Sequence, residues 1–145
     1  MKLDEIIKHW SKDCQIDIAN ISSESVGVPL LHHKYYSFLL KEKFLLEKLE
    51  SDFKVIELNR WKFYNKVAPQ EEYDEYDGNF FDLVLLKEDK KRFFEADAEV
   101  LEHKKKIGIQ KIKIECLMDI LKQLNNRTFQ ISNFVKYEIF KSGGN

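Results

Sequence analysis

Hydrophobic and polar residues follow one another in this chain mostly with the period of an α-helix. The N-terminal part, residues 1–29, begins with a short amphipathic stretch, which predicts a helix whose apolar side carries Leu3, Ile6, Ile7 and Trp10. Turn-forming residues follow up to Pro29, so we expect an irregular segment there, with Pro29 in the first turn of the next helix.

Residues 30–64 contain no glycine or proline, and their apolar side chains recur at multiples of three and four positions. This pattern predicts one long helix that would extend roughly 50 Å. A helix of that length cannot bury its apolar face alone, so it needs a hairpin partner, another subunit, or both.

An acidic segment without apolar period follows at residues 65–79, which predicts a loop. The apolar run Phe80–Leu86 is compatible with a short strand or with the start of a helix. We favour a helix, because no other segment could pair with a strand. The second long helix is therefore predicted over residues 80–126.

This second helix carries apolar residues every seven positions, which is typical of helices that supercoil. Polar His103 and Gln110 interrupt the companion positions, and such residues fix helix register and partner number. We expect the repeat to form an interface between copies of the chain, through Phe93, Val100, Ile107, Ile114 and Leu121.

Asn125–Thr128 has the composition of a helix stop followed by a new N-cap. Residues 127–145 are then predicted to form a strongly apolar terminal helix that docks on the hairpin or on a neighbouring subunit. We assign Phe129 and Phe134 to the same interface as the repeat. The predicted fold is one all-α domain, a long helical hairpin with short terminal helices, assembled as a cyclic oligomer.

Composition adds limits to this picture. The net charge is −1, so a nucleic-acid partner would have to be held by local clusters of cations rather than by the whole surface. Cys14 and Cys116 have no metal-type spacing, which indicates a reduced intracellular protein. No apolar run reaches the ~20 residues needed to span a membrane.

Cations and aromatic residues alternate at the end of the first long helix, as expected of a single-strand binder that neutralises phosphates and stacks on bases. The candidates there are Arg60, Trp61, Lys62 and Tyr64. In a hairpin, a second basic set would lie nearby, from which we select Lys87, Lys91 and Arg92. The competing interpretation is a helix end that buries Trp61 and Phe63 against a neighbour.

The sequence offers little support for catalysis. Glu99 and His103 have helical spacing, but a di-iron bundle requires repeated Glu-x-x-His motifs that are absent here. There is no glycine-rich phosphate loop and no nucleophile with a recognisable local signature. We therefore expect a protein that is not an enzyme and that uses no metal or other cofactor.

A family resemblance emerges when separate short segments are considered in order. They are His33–Tyr35, Arg60–Tyr64, Ala96–Leu101, Arg127–Ile131 and Phe140–Gly143. In order and spacing they resemble the UvsY family of recombination mediators from T-even-like bacteriophages and their marine relatives.

The resemblance implies an all-helical, ring-like heptamer or hexamer that binds single-stranded DNA and contacts the phage single-strand-binding protein. It also implies help for a RecA-like, UvsX-type recombinase in forming a filament, in the cytoplasm of the infected host. The family's basic motif maps onto Leu58, Arg60 and Lys62, with Leu58 standing where a basic residue is expected. The alternative function is a coiled-coil oligomeric adaptor between proteins, without nucleic-acid binding.

Overall fold

The computed structural model describes residues 1–69, 71, 73 and 86–143. All regular secondary structure in these residues is helical, as predicted. The chain forms α1 (Leu3–Asp13), a short 3₁₀ turn (Ile18–Asn20), α2 (Ile21–Tyr64), α3 (Lys87–Glu95) and α4 (Ala98–Lys141). Most of the predicted acidic loop 65–79, and all of Phe80–Leu86 except Leu86, lie outside the described residues.

The first long helix begins earlier than the sequence pattern indicated. Asp17 caps the 3₁₀ turn through a 3.0 Å hydrogen bond from the Ala19 amide, and α2 follows directly. Pro29 therefore lies inside α2 rather than in its first turn. Glu24, in the first turn of α2, forms an ion pair with Arg127, a contact between distant segments that local sequence cannot reveal.

The predicted helix stop at Asn125–Thr128 is wrong, because α4 continues without a break to Lys141. Leu124, Arg127 and Ile131 are all buried, so one face of the helix stays in contact with the core through this region. The break in the second half of the chain lies instead at Ala96–Asp97, between α3 and α4. Asp97 caps α4 by accepting hydrogen bonds from the amides of Glu99 and Val100.

The described residues group into two compact units. The first comprises 1–44 and 111–145, and it brings the N-terminal part of α2 antiparallel to the C-terminal part of α4. Its ion pairs join Glu24 to Arg127 and Glu42 to Lys113. The second comprises 45–110, where the end of α2 meets the junction of α3 and α4. The candidate nucleic-acid site lies in this second unit.

The predicted heptad seam is part of the core of the protomer. Val100 is fully buried, and Ile114 and Leu121 are 7% and 8% exposed. Phe93 and Ile107 are half-buried, and the polar companion Gln110 is also buried. All five positions predicted to lie between copies are thus buried or half-buried within a single chain.

Candidate nucleic-acid interface

The last turn of α2 presents an aromatic face. Trp61, Tyr64 and Asn65 are three and four positions apart, so they lie on one side of the helix. The helix ends there because Lys66 has a positive φ of 59°, and the amides of Lys66 and Val67 bond back to the carbonyls of Phe63 and Lys62. In this last turn, Trp61 is 54% exposed.

Helix α3 presents a basic face. Lys87, Lys90, Lys91 and Phe94 have the spacing i, i+3, i+4 and i+7, which places them along one side. Lys91 lies 3.8 Å from Glu95, but both side chains are more than half exposed, so this pair contributes little. Among the described residues, no other ion pair is formed by Lys87, Lys90 or Lys91.

The two faces enclose an open cleft of about 380 Å³. The rings of Tyr64 and Phe94 meet edge to face, with centroids 6.5 Å apart. The cleft is lined by Trp61, Tyr64, Asn65, Lys87, Lys90, Lys91 and Phe94. Aromatic rings beside several ammonium groups can accept a base by stacking while phosphates bind the cations.

Arg60 does not line this cleft and instead forms an ion pair with Asp97. Its Nη2 and Nε lie 2.6 Å and 2.8 Å from Oδ2 of Asp97, and the side chains are only 12% and 4% exposed. The guanidinium also lies 4.3 Å from the centroid of the Phe63 ring. Arg60 is thus held by protein groups on several sides.

The Tyr64 hydroxyl completes this cluster by donating to Oδ2 of Asp97 at 2.8 Å. Burial and the bond to Asp97 raise the pKa of Tyr64 to about 12, so the phenol stays protonated. Burial alone would raise the pKa of Asp97, but hydrogen bonds from Tyr64, Val100 and Arg60 lower it overall. The carboxylate is therefore ionised and fully engaged.

The structure brings together some predicted site residues and separates others. Trp61, Tyr64, Lys87 and Lys91 meet at the cleft, whereas Lys62 and Arg92 are exposed but do not line it. The competing interpretation of two buried aromatic residues holds for Phe63, which is 1% exposed, and not for Trp61.

The sequence-based selection omitted Lys90, Asn65 and Phe94. The spacing of Lys87, Lys90, Lys91 and Phe94 on one helix face was a usable signal for two of them. The capping role of Asp97 could also have been recognised in the sequence. An Asp directly before a helical apolar pattern, which here includes Val100, is a typical N-cap. Its contact with Arg60 required the tertiary structure.

Neither a metal centre nor a membrane segment is found in the part of the chain that the structure describes. No group of three His, Cys, Asp or Glu side chains there could hold a metal ion. No helix among those residues is long and apolar enough to cross a bilayer.

Comparison with known proteins agrees with this chemistry. The family model described as "Recombination, repair and ssDNA binding protein UvsY" matches residues 9–144. The chain belongs to the UvsY family. A role in recombination and repair with single-stranded DNA binding follows from this membership. A search of curated proteins finds no significant match.

Solved structures of the UvsY recombination mediator of bacteriophage T4 share the fold. One crystal form has a TM-score of 0.84 at 21% identity, covering 98% of each chain. Another has a TM-score of 0.80 at 18% identity, covering 97% of this chain and 99% of that one. A third has a TM-score of 0.78 at 20% identity, covering 94% and 98%. The all-helical fold of the UvsY family is thus confirmed for this chain.

Proposed function

We propose that this UvsY-family chain binds single-stranded DNA in the cleft between the end of α2 and α3. Lys87, Lys90 and Lys91 contact phosphates, and Trp61 stacks on a base. The observation that carries the proposal is the meeting of three lysines and a half-exposed tryptophan on one open cleft. Phosphate contacts and stacking are both tolerant of sequence, as a general single-strand binder requires.

Lys62 and Arg92 have a subsidiary place in this proposal. Both are exposed in the same unit but outside the cleft lining. They would extend the path of the backbone beyond the nucleotide seated on Trp61. Their loss is therefore expected to weaken binding less than the loss of Lys90 and Lys91.

We also infer that the protein is a recombination mediator. In this role it presents the bound strand to a RecA-like, UvsX-type recombinase on DNA covered by the phage single-strand-binding protein, inside the infected host cell. Family membership supports this role, as does the name of the T4 relative, a recombination mediator. Binding through phosphates and single bases leaves neighbouring nucleotides available to recombinase subunits.

A homo-oligomer, hexameric or heptameric, is part of the proposal. The end of α4 exposes large apolar side chains that an isolated protomer would leave in water, with Phe129 and Phe140 71% and 80% exposed. We place the contact between copies there, including the half-buried Phe134. Repeating one cleft around an oligomer multiplies a modest affinity, which suits a chain of net charge −1.

The test is the affinity for a fluorescent oligothymidine measured at increasing salt concentration. Neutralising several phosphates gives a steep linear decline of log affinity against log salt, with a slope of about −0.7 per contact. A salt-independent affinity would overturn the proposal. Native mass spectrometry adds a second readout, since an oligomer that forms without ever binding the oligonucleotide would favour the protein adaptor instead.

A further inference from the structure

Asp97 joins two parts of the second unit, the start of α4 and the end of α2, through its two carboxylate oxygens. Oδ1 accepts hydrogen bonds from the amides of Glu99 and Val100 at 3.0 Å and 3.2 Å, which fixes the start of α4. Oδ2 accepts from Arg60 and Tyr64, which lie near the end of α2. One buried carboxylate thus holds the end of α2 against the junction that follows α3.

Both walls of the cleft are attached directly to this cluster. Trp61 is adjacent to Arg60 in α2, and Tyr64 contributes its ring to the cleft while its hydroxyl bonds to Asp97. On the other wall, Phe94 precedes Asp97 by three residues, and its ring meets that of Tyr64. The separation between the aromatic wall and the lysine wall therefore depends on the Asp97 contacts.

Arg60 has little capacity to bind a phosphate itself. Two of its nitrogens lie within hydrogen-bond distance of the Asp97 carboxylate, and its guanidinium carbon lies over the Phe63 ring, 4.3 Å from the centroid. Turning outward to DNA would leave the Asp97 charge buried without its cation, which is strongly unfavourable.

We propose that Arg60 and Asp97 are positioning residues, which set the geometry of the DNA cleft without touching the nucleic acid. This inference rests on the proposed function of the cleft. It reverses the direct DNA contact that the sequence pattern suggested for Arg60. It also gives an acidic residue a favourable role in binding a polyanion.

The variant Asp97→Asn separates the two roles by the sign of its effect. Asn keeps an oxygen to cap α4 but places an amide donor or a neutral oxygen where Arg60 needs a carboxylate. If Arg60 were a phosphate ligand, removing a negative charge and freeing Arg60 would tighten binding. If the pair positions the cleft, we expect affinity to fall about tenfold, the usual scale for losing a charged hydrogen bond.

Asp13→Asn is the matched control. The Asp13 carboxylate accepts from Lys34 at 2.6 Å and from Tyr35 at 2.8 Å, so it forms the same type of cation–tyrosine cluster in the first unit. The substitution removes the same charge away from the cleft. We expect it to leave affinity unchanged or slightly raised. Equal or tighter DNA binding by Asp97→Asn than by Asp13→Asn would overturn the proposal.

Salt dependence provides an independent readout. Arg60→Lys keeps the charge but cannot reproduce the two-nitrogen contact with Asp97 or place a guanidinium over the Phe63 ring. If Arg60 positions the cleft, we expect Arg60→Lys to bind DNA more weakly with an unchanged salt slope. A phosphate ligand predicts near-normal affinity for Arg60→Lys and, for Arg60→Gln, a slope smaller by about 0.7.

Milder changes keep the test decisive if Asp97→Asn reduces the helical circular dichroism signal. Tyr64→Phe removes only the hydroxyl bond to Asp97, and in a Trp10→Phe background the fluorescence of Trp61 reports the cleft wall. We expect a shifted Trp61 emission together with weaker binding. Unchanged emission and unchanged affinity would reject a positioning role. If the wild type did not bind DNA, the proposed function itself would be rejected. If the wild type bound DNA and Asp97→Asn bound it at least as tightly, only the positioning role would be rejected.

Discussion

Arg127 donates a 2.7 Å hydrogen bond from Nη1 to the main-chain oxygen of Asp13, the last residue of α1. Its Nη2 donates to the carbonyl of Gln15 at 2.7 Å and pairs with Glu24. The Arg127 side chain is only 4% exposed. One guanidinium thus forms hydrogen bonds to the end of α1, to the segment after it, and to the first turn of α2.

We expect Arg127→Ala to lower the free energy of unfolding by about 3 kcal/mol, the scale of breaking a buried charged network. Arg127→Lys should recover less than half of this, because one ammonium cannot reach all three acceptors. Urea unfolding followed by circular dichroism measures both. If Arg127→Lys were as stable as the wild type, the three-acceptor role of Arg127 would be contradicted. The control is Lys136→Ala, at an exposed position of the same helix.

A pair of lysines in the cleft should dominate the ionic part of DNA binding. We expect Lys90→Ala with Lys91→Ala to reduce the salt slope by about 1.4, the value for two single-strand phosphate contacts. The matched control is Lys104→Ala with Lys105→Ala, an adjacent pair on the exposed side of α4 with the same change of net charge. Equal losses in the two double variants would argue for a diffuse electrostatic attraction instead of a cleft.

Stacking on Trp61 is predicted to contribute independently of charge. Trp61→Ala should weaken oligothymidine binding by about 1–3 kcal/mol, the range for one stacked base, with an unchanged salt slope. Trp61→Phe should retain much of the affinity because it keeps an aromatic face. In a Trp10→Phe background, DNA should also quench Trp61 fluorescence. Normal affinity of Trp61→Ala would show that the base does not stack there.

Acid should destabilise the second unit through Asp97. Burial opposes ionisation, but the hydrogen bonds from Tyr64, Val100 and Arg60 keep the pKa of Asp97 below its ordinary value. The unfolded state then binds protons first, so the stabilisation is complete above the unfolded pKa and is lost as pH falls through the lower folded pKa.

We expect the free energy of unfolding of the wild type to decline as the pH falls below the pKa of an unfolded aspartate, about 3.9, and the curve of Asp97→Asn to be flatter there. Urea titrations across this range provide the measurement. Glu102→Gln is the control, because its exposed pair with Lys106 is screened by solvent. Parallel acid curves for wild type and Asp97→Asn would contradict this assignment.

Gly108 offers a stabilising substitution. It lies in the interior of α4, and a Cβ added there would meet no atom within 4 Å apart from the neighbouring backbone of its own helix. Gly108→Ala should raise the free energy of unfolding by about 1 kcal/mol through helix propensity alone. Gly143→Ala should not stabilise, because Gly143 has a φ of +77°. Differential scanning calorimetry distinguishes the two, and a lower melting temperature for Gly108→Ala would indicate a hidden contact at this face.

Local sequence determined the helical class, the end of the first long helix at Tyr64, and the presence of cations and aromatic residues beside that end. Helical periodicity and scarce glycine and proline are properties of neighbouring residues, so they can be recognised along the chain. The same local signals misplaced the start of α2 and the supposed stop at Asn125. At both points the helix is stabilised by contacts between residues far apart in sequence. Arg127, on the buried face of α4, pairs with Glu24 in the first turn of α2 and bonds to Asp13 at the end of α1.

The tertiary structure decided which side chains face solvent and which face protein. Sequence could select Arg60 and Trp61 together, but only packing shows Arg60 against Asp97 and Trp61 beside the lysines of α3. It also places the seam residues Val100, Ile114 and Leu121 in the protomer's own core. The chemical type of a side chain, apolar or cationic, can be read from the sequence and limits what it can bind. The folded chain determines which groups lie near enough for that side chain to bind them.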